Sequence, residues 1–175
     1  KLFAACGTKI YDVTSDGAGS AVVSGLNNAR WQYVNFRTTG GSYLMCVNGT
    51  DAPHTYNGAS WSAPSISGTG LNNSTIISVA VYKKRVWFVT TNDTKAWYLN
   101  SDSIAGAATA FPLGAVFSKG GSLWAIGTWS RDTGVALADL IAFVSSKGQV
   151  AIYSGTNPGS DFNLEAVLEL GPPIG

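Results

Sequence analysis

Short apolar segments alternate with polar turns along this chain, and one arrangement of them recurs. In four places an apolar segment is followed by a polar turn and by a second segment with a tyrosine, at Tyr11, Tyr56, Tyr98 and Tyr153. These tyrosines are separated by 45, 42 and 55 residues. A period in the forties is typical of repeat proteins built from four-stranded propeller blades.

Further apolar segments flank the recurring hairpins. A strand is predicted before the hairpin at 31–36, at 76–82 and at either 115–117 or 122–128, and another after it at 21–24, 62–66, 108–113 and 164–170. The sequence therefore predicts an all-β fold, a β-propeller-like array of about four four-stranded antiparallel blades. The approximate blades are 1–27, 28–68, 69–114 and 115–175. A β-sandwich or barrel is the alternative.

The first unit has no strand before its hairpin, so the first blade is predicted to be incomplete. We expect either that the sequence is a piece of a longer protein or that a strand from elsewhere completes this blade.

The middle of the chain carries the strongest core signal. Segments 76–82 and 86–89 are almost continuously apolar or β-branched, which predicts strands buried on both faces. Lys83 and Lys84 between them form a two-residue turn by position. Trp87 and Trp124 lie inside apolar segments and are expected in the core.

Composition narrows the function classes. The chain of 175 residues is 45% hydrophobic and 12% charged, and its formal net charge is +1. Its eleven basic residues are scattered, which argues against nucleic acid as the main partner, because phosphate binding needs clustered Lys and Arg. No apolar stretch approaches the roughly 18 residues of a membrane-spanning helix, so membrane insertion is not expected.

Catalytic and metal-binding patterns are weak. His54 is the one histidine, and the sequence shows neither a nucleophile elbow nor a phosphate-binding glycine loop. Most acidic residues stand beside turn-forming residues, where capping of the local backbone explains them. Cys6 and Cys46 are expected to be two buried free thiols. We expect no enzyme activity, no cofactor and no metal.

The fourth unit is longer than the others, and the excess lies between Thr128 and Asp139. An insertion in a repeat array usually forms a loop on one face, so Trp129, Arg131 and Asp132 are the candidate contact residues. Trp61 stands next to a turn and is a candidate exposed aromatic. An alternative function, recognition of a surface glycan, would use Trp61 or Trp129 to stack on sugar rings.

Several phrases of the sequence resemble virion proteins of tailed bacteriophages and prophages. They are residues 2–13, 28–36, 120–129, 140–158 and 170–175. The chain is similar in kind to the tail-hub and tail-accessory propellers of short-tailed phages. The resemblance implies a structural role, with copies arranged in a ring that seals or joins head and tail, and it carries over no catalytic residue.

The leading expectation is thus a non-enzymatic virion structural protein of the tail or head–tail assembly. It would be made in the cytoplasm of the bacterial host and end in the virion. Its partners would be other virion proteins or copies of itself. The alternative is a carbohydrate-binding propeller module.

Overall fold

A computed structural model describes residues 1–132 and 137–173 of the chain. Its elements are strands, apart from one 3-10 turn at Asn73–Thr75. The strands are β1 (Phe3–Cys6), β2 (Lys9–Asp12), β3 (Ser20–Ser24), β4 (Gln32–Thr38), β5 (Gly41–Val47), β6 (His54–Tyr56), β7 (Trp61–Ser62), β8 (Ile66–Ser67), β9 (Ile76–Tyr82), β10 (Arg85–Thr90), β11 (Lys95–Tyr98), β12 (Gly106–Ala107), β13 (Thr109–Pro112), β14 (Leu123–Asp132), β15 (Leu137–Ser145), β16 (Gln149–Ser154) and β17 (Asn163–Glu169).

Most of the strands form four antiparallel sheets in chain order. The first sheet has three strands, β1-β2-β3, and the second, third and fourth sheets have four each: β4-β5-β6-β7, β9-β10-β11-β13 and β14-β15-β16-β17. Strands β8 and β12 make a short parallel pair. The structure confirms the all-β class and the antiparallel four-stranded sheets. The propeller arrangement and the blade boundaries stay predictions.

The turn between β9 and β10 has the predicted two residues. Lys83 and Lys84 have φ angles of 46° and 60°, which is the left-handed region that both central residues of a type I′ hairpin turn require. This turn matches the right-handed twist of the flanking strands, so it joins them without splaying them.

The third sheet is the centre of the core. Val86, Trp87, Phe88 and Val89 of β10 are each at most 1% exposed, which confirms the prediction that this segment is buried on both faces. One face packs on the second sheet through residues such as Val79 and Phe88, which cluster with Phe36. The other face packs on the fourth sheet.

An aromatic cluster joins the third and fourth sheets. The indole of Trp87 stacks on the ring of Phe162, with centroids 5.3 Å apart and planes 11° apart. Phe162 in turn stacks on Tyr153 at 5.8 Å, and Phe111 and Phe143 pack edge-on around Trp87. Because aromatic side chains bury large areas and their pairs add directional attraction, this cluster fixes how the two sheets sit on each other.

The recurring tyrosines do not all occupy the same face. Tyr56 packs on Phe3 of the first sheet, and Tyr153 packs within the cluster toward the third sheet, so both face the preceding sheet. Trp97 faces the preceding sheet in β11, and its neighbour Tyr98 packs against the cluster shared with the fourth sheet. In β11, Trp97 therefore takes the face that Tyr56 and Tyr153 take in their own strands, and Tyr98 takes the opposite one. A shift of register by one residue has this effect, because it moves every side chain of a strand to the other face.

The expectation that Trp124 belongs to the core is wrong. Its side chain is 47% exposed, whereas Trp87 is 0% exposed. The pairing of β14 with β15 shifts between Leu123 and Ala125, so Trp124 lies at a β-bulge. A bulge inserts an unpaired residue and redirects its side chain, and here it turns the indole toward solvent.

The two cysteines differ. Both are free, but Cys6 is exposed, so the expectation of two buried thiols is wrong for Cys6 and confirmed for Cys46 alone. Cys6 is the last residue of a short strand at the edge of the array. Burial raises the pKa of the Cys46 thiol to about 12, which leaves it protonated and unreactive at neutral pH.

Replacing Trp87 by alanine should lower the free energy of unfolding by about 3–5 kcal/mol, because it empties the centre of the aromatic cluster. Trp124→Ala is the matched control, and its effect should be smaller, about 1 kcal/mol, because about half of that side chain is exposed to water. Urea unfolding followed by far-UV circular dichroism measures both variants. Equal losses in the two variants would contradict the packing described.

Candidate contact surface on the fourth sheet

The extra residues of the fourth unit lengthen a hairpin. Strands β14 and β15 have ten and nine residues, against seven and six in β9 and β10. The prediction that Trp129, Arg131 and Asp132 lie in a loop is therefore wrong, because all three belong to β14. The ladder continues to the pair Asp132 and Leu137. Residues 133–136, in the middle of the predicted loop, lie outside the described residues.

Trp129 lies on the face of the fourth sheet that points away from the third. It pairs with Leu140, whereas Ile141, the next residue along β15, packs toward the third sheet. Successive side chains of a strand point to opposite faces, so Trp129 and Leu140 share the outward one. The Trp129 side chain is 42% exposed.

This outward face, called here the end face, is apolar across all four strands. Its centre is a cluster of four buried side chains, Leu140, Ala142, Val150 and Ile152, each at most 9% exposed, with Val144 and Ala166 packed against it. Leu168 pairs with Val150 and extends the face onto β17, where it is 43% exposed. The end face consists of Trp129, Leu140, Ala142, Val144, Val150, Ile152, Ala166 and Leu168.

Exposed apolar side chains concentrate at this end of the molecule. In the part of the chain that the structure describes, nine large hydrophobic residues are exposed, and six of them belong to the fourth sheet or directly follow it. The six are Trp124, Trp129, Leu164, Val167, Leu168 and Leu170. Trp129 and Leu168 lie on the end face, whereas Leu164 and Val167 pair with Tyr153 and Ala151 and so lie on the opposite face of the sheet.

A polar cleft of about 300 Å³ lies beside Trp129 at the boundary of the third and fourth sheets. Asp139 is its centre: the carboxylate accepts hydrogen bonds from Lys83 Nζ at 2.5 Å and from Ser130 Oγ at 2.8 Å. The Tyr82 hydroxyl donates to the Asp139 carbonyl at 2.8 Å. The hydrogen bond from Lys83, followed by that from Ser130, lowers the pKa of the Asp139 carboxyl.

A second carboxylate, in the third sheet, binds the turn between β4 and β5 of the second sheet. Asp102, which follows β11, accepts hydrogen bonds from the Thr39 hydroxyl at 2.5 Å and from the Thr39 N–H at 3.2 Å. These bonds lower the pKa of Asp102. Together with the contact between Asp139 and Lys83, they form two carboxylate bridges between neighbouring sheets.

The sequence predicted local capping for the acidic residues. That role is confirmed for Asp12 and Asp93, whose carboxylates accept from the N–H two residues on. The bridging roles of Asp102 and Asp139 were missed. One feature of the sequence pointed to a bridging role for Asp139. It directly precedes the apolar segment 140–144, at a position where no turn residue is needed.

The structure places the other candidate residues as follows. Trp61 is partly buried and packs edge-on against Phe3 at 5.0 Å and beside Tyr56 at 5.6 Å, so much of its ring joins the first and second sheets. Its role as an exposed aromatic stays a prediction. Arg131 and Asp132 pair through their backbones with Ala138 and Leu137, and their side chains lie outside the described part.

His54 binds its own backbone neighbourhood. Its Nδ1 lies 2.8 Å from the Ala52 carbonyl, and its ring packs edge-on against Trp31. Within residues 1–132 and 137–173, no three side chains among His, Cys, Asp and Glu are grouped as metal ligands would be. The same residues contain no helix with the length and hydropathy needed to cross a bilayer.

The fold and this surface define an all-β protein of stacked antiparallel sheets with an apolar face at one end. Comparison with protein-family models, with curated protein sequences and with solved structures gave no match.

Replacing Asp139 by asparagine should lower the melting temperature at pH 7, and the difference from the wild type should shrink as the pH falls toward about 2. The pKa of Asp139 is lower in the folded protein than in the unfolded chain. Its bridge therefore stabilises the fold above the ordinary Asp pKa of about 3.9, and this contribution is lost as the pH falls through the folded-state pKa.

Thermal unfolding of the wild type and of Asp139→Asn across this pH range checks the bridge. Asp16→Asn, at an exposed turn position, is the control and should track the wild type throughout. A difference between wild type and Asp139→Asn that stays the same from pH 7 to about pH 2 would mean that the carboxylate charge is not the stabilising feature.

Proposed function

We propose that the chain is a non-enzymatic structural protein that contacts neighbouring subunits through the end face. The observation that carries this proposal is the apolar end face, on which the large side chains of Trp129 and Leu168 are 42% and 43% exposed. Burying such side chains against a partner removes apolar area from water, which favours association by about 25 cal/mol per Å².

We further propose that the sheets are arranged as propeller blades. The first strands of the second, third and fourth sheets neighbour one another, β4 beside β9 and β9 beside β14. Within each sheet the following strands lie progressively farther from this row. Blades of a propeller have this order, with their first strands around a common axis. The packing of sheet on sheet supports this arrangement over a two-sheet sandwich.

The biological setting follows from the resemblance to virion proteins. We propose that the chain belongs to the tail or head–tail assembly of a tailed bacteriophage, is made in the host bacterial cytoplasm, and is incorporated into the virion. Its partners are other virion proteins or further copies of the chain. A rigid stack of sheets with an apolar end suits such a role because contacts between subunits of a particle need a surface that keeps its shape.

Light scattering at two protein concentrations tests the contact role of the end face. If copies of the chain are the partners, the wild type should give a mass above the monomer that rises with concentration. Leu168→Asp should shift the mass toward the monomer, because a charge would be buried at the contact. Val22→Asp on the first sheet, where Val22 is 38% exposed, is the control and should keep the wild-type mass. Equal masses for the wild type and Leu168→Asp would exclude self-association through the end face.

Mass spectrometry of purified phage particles tests the virion setting. Particles induced from a bacterial strain that carries the gene should contain peptides of this chain, and they should remain with the tail fraction when heads and tails are separated. Detection only in the unassembled cell lysate would contradict the proposal.

A second candidate function is recognition of a glycan, and the half-exposed indole of Trp129 on the end face favours it. An exposed indole offers an apolar surface on which a sugar ring can stack. Oligosaccharide binding by the wild type should then fall at least about tenfold in Trp129→Ala, equal to a loss of 1.4 kcal/mol, and persist in Trp124→Ala. No binding across a panel of bacterial surface glycans would eliminate this candidate.

A further inference from the structure

The sequence contains two pairs of asparagine followed by glycine, and both pairs lie in turns of the second sheet. Asn48–Gly49 directly follows β5, and Asn57–Gly58 connects β6 to β7. Asparagine in such a pair is prone to deamidation, in which the next backbone nitrogen attacks the side-chain amide, because glycine has no Cβ to obstruct the attack. The surroundings of each pair decide whether the folded protein allows this reaction.

The two asparagine side chains have the same local geometry. Asn57 Oδ1 accepts hydrogen bonds from the Ala59 N–H at 2.9 Å and from the Ser60 N–H at 2.8 Å. Asn48 Oδ1 accepts from the N–H groups two and three residues on, at 3.1 Å and 2.8 Å. Each side chain therefore folds over the following glycine. In both turns two N–H groups point at the oxygen that gains negative charge when the amide carbon is attacked, and such donors stabilise the tetrahedral intermediate.

Three contacts protect the pair Asn48–Gly49. The Gly49 N–H donates to the Ile76 carbonyl at 2.8 Å, so the attacking nitrogen is directed toward β9. Asn48 Nδ2 donates to the Asp51 carboxylate at 2.6 Å, which holds the group that would have to leave. The glycine is also tightly packed, because a Cβ on it would lie 2.7 Å from Ile77 Cγ2. Each of these contacts opposes the reaction.

The pair Asn57–Gly58 lacks all three contacts in the part of the chain that the structure describes. There the Gly58 N–H donates to no backbone carbonyl, and no carboxylate accepts from Asn57 Nδ2. The space that a Cβ on Gly58 would occupy is open, and both residues are exposed to solvent. Water can therefore reach the attacking nitrogen and the leaving group alike.

We propose that Asn57 is a site of spontaneous deamidation in the folded protein and that the fold protects Asn48. Hydroxide takes the proton of the Gly58 nitrogen, which forms a bond to Asn57 Cγ. The bond between Cγ and Nδ2 then breaks, and Nδ2 takes up a proton from water and leaves as ammonia. One water molecule opens the resulting cyclic imide at either carbonyl, which gives aspartate or isoaspartate without any change of oxidation state. The inference rests on these two turns and does not depend on the proposed virion role.

Deamidation at this turn affects the contact between the first and second sheets. The Tyr56 hydroxyl donates to the Gly58 carbonyl at 2.7 Å, and the Tyr56 ring packs edge-on against Phe3 with centroids 4.8 Å apart. Isoaspartate adds a methylene group to the main chain directly before Gly58, which moves this carbonyl relative to the ring. The product also adds a negative charge to a chain whose formal net charge is +1. The modified chain should therefore hold its first sheet less firmly.

Peptide mapping by mass spectrometry measures the reaction at each asparagine. The protein is incubated under native conditions at neutral and at mildly alkaline pH, and it is digested at acidic pH so that no deamidation occurs during the digestion. Asn57 should react at least about tenfold faster than Asn48, because the contacts of the second turn raise the barrier there. The rate at Asn57 should increase with pH, because the Gly58 nitrogen must lose its proton.

Two controls separate the effect of the fold from that of the sequence. In denaturing urea both pairs should react at similar rates, because the contacts that protect Asn48 are then lost. The variant Asn57→Gln would have to close a six-membered ring, which forms far more slowly, so position 57 should keep its amide. The native variant should then lose most of the mass gain that the wild type shows.

Three results would overturn the proposal. The first is equal rates at Asn48 and Asn57 in the native protein. The second is an Asn57 that stays intact under native conditions but reacts in urea. The third is a native Asn57→Gln variant that gains mass as fast as the wild type, which would place the reaction at another residue.

Discussion

The packing of aromatic rings between the third and fourth sheets is the interaction on which the rest of the structure depends. Phe162 belongs to the connection between β16 and β17. Its ring stacks on Trp87 and on Tyr153 and so completes the cluster from outside the strands. The long β14–β15 hairpin is therefore held on the third sheet by side chains of several elements together.

Polar contacts complement this apolar packing. The apolar clusters fix the distance between sheets, whereas the bridges of Asp102 and Asp139 tie the hairpin turns of one sheet to the next. Both bridges are exposed to solvent, and exposed pairs contribute little energy, so their main effect is on alignment. A slide of one sheet along its neighbour would break a bridge before it exposed the buried rings.

The sequence predicted what depends on local pattern and missed what depends on partners far along the chain. Segment 76–82 was correctly expected to be buried on both faces, because continuous apolar residues have that consequence in any stacked sheet. Trp124 has the same local pattern, yet the bulge that exposes it depends on how β14 pairs with β15. Asp139 and Lys83 are 56 residues apart, and only the stacking of sheets brings them together. The resemblance to virion proteins suggested a contact role, but it did not indicate that the candidate contact residues Trp129, Arg131 and Asp132 lie on a strand.

The order of the strands also bears on how the protein folds and opens. Each four-stranded sheet is built from consecutive segments, so its ladder closes only short loops, and such local contacts form fast. The third sheet has a neighbour on both faces, whereas the first and fourth sheets have one each in the part of the chain that the structure describes. Arrays whose units contact only their neighbours lose structure from their ends. Cooperativity should therefore fall off from the third sheet outward, so the end face belongs to a sheet expected to open at a lower free energy than the third.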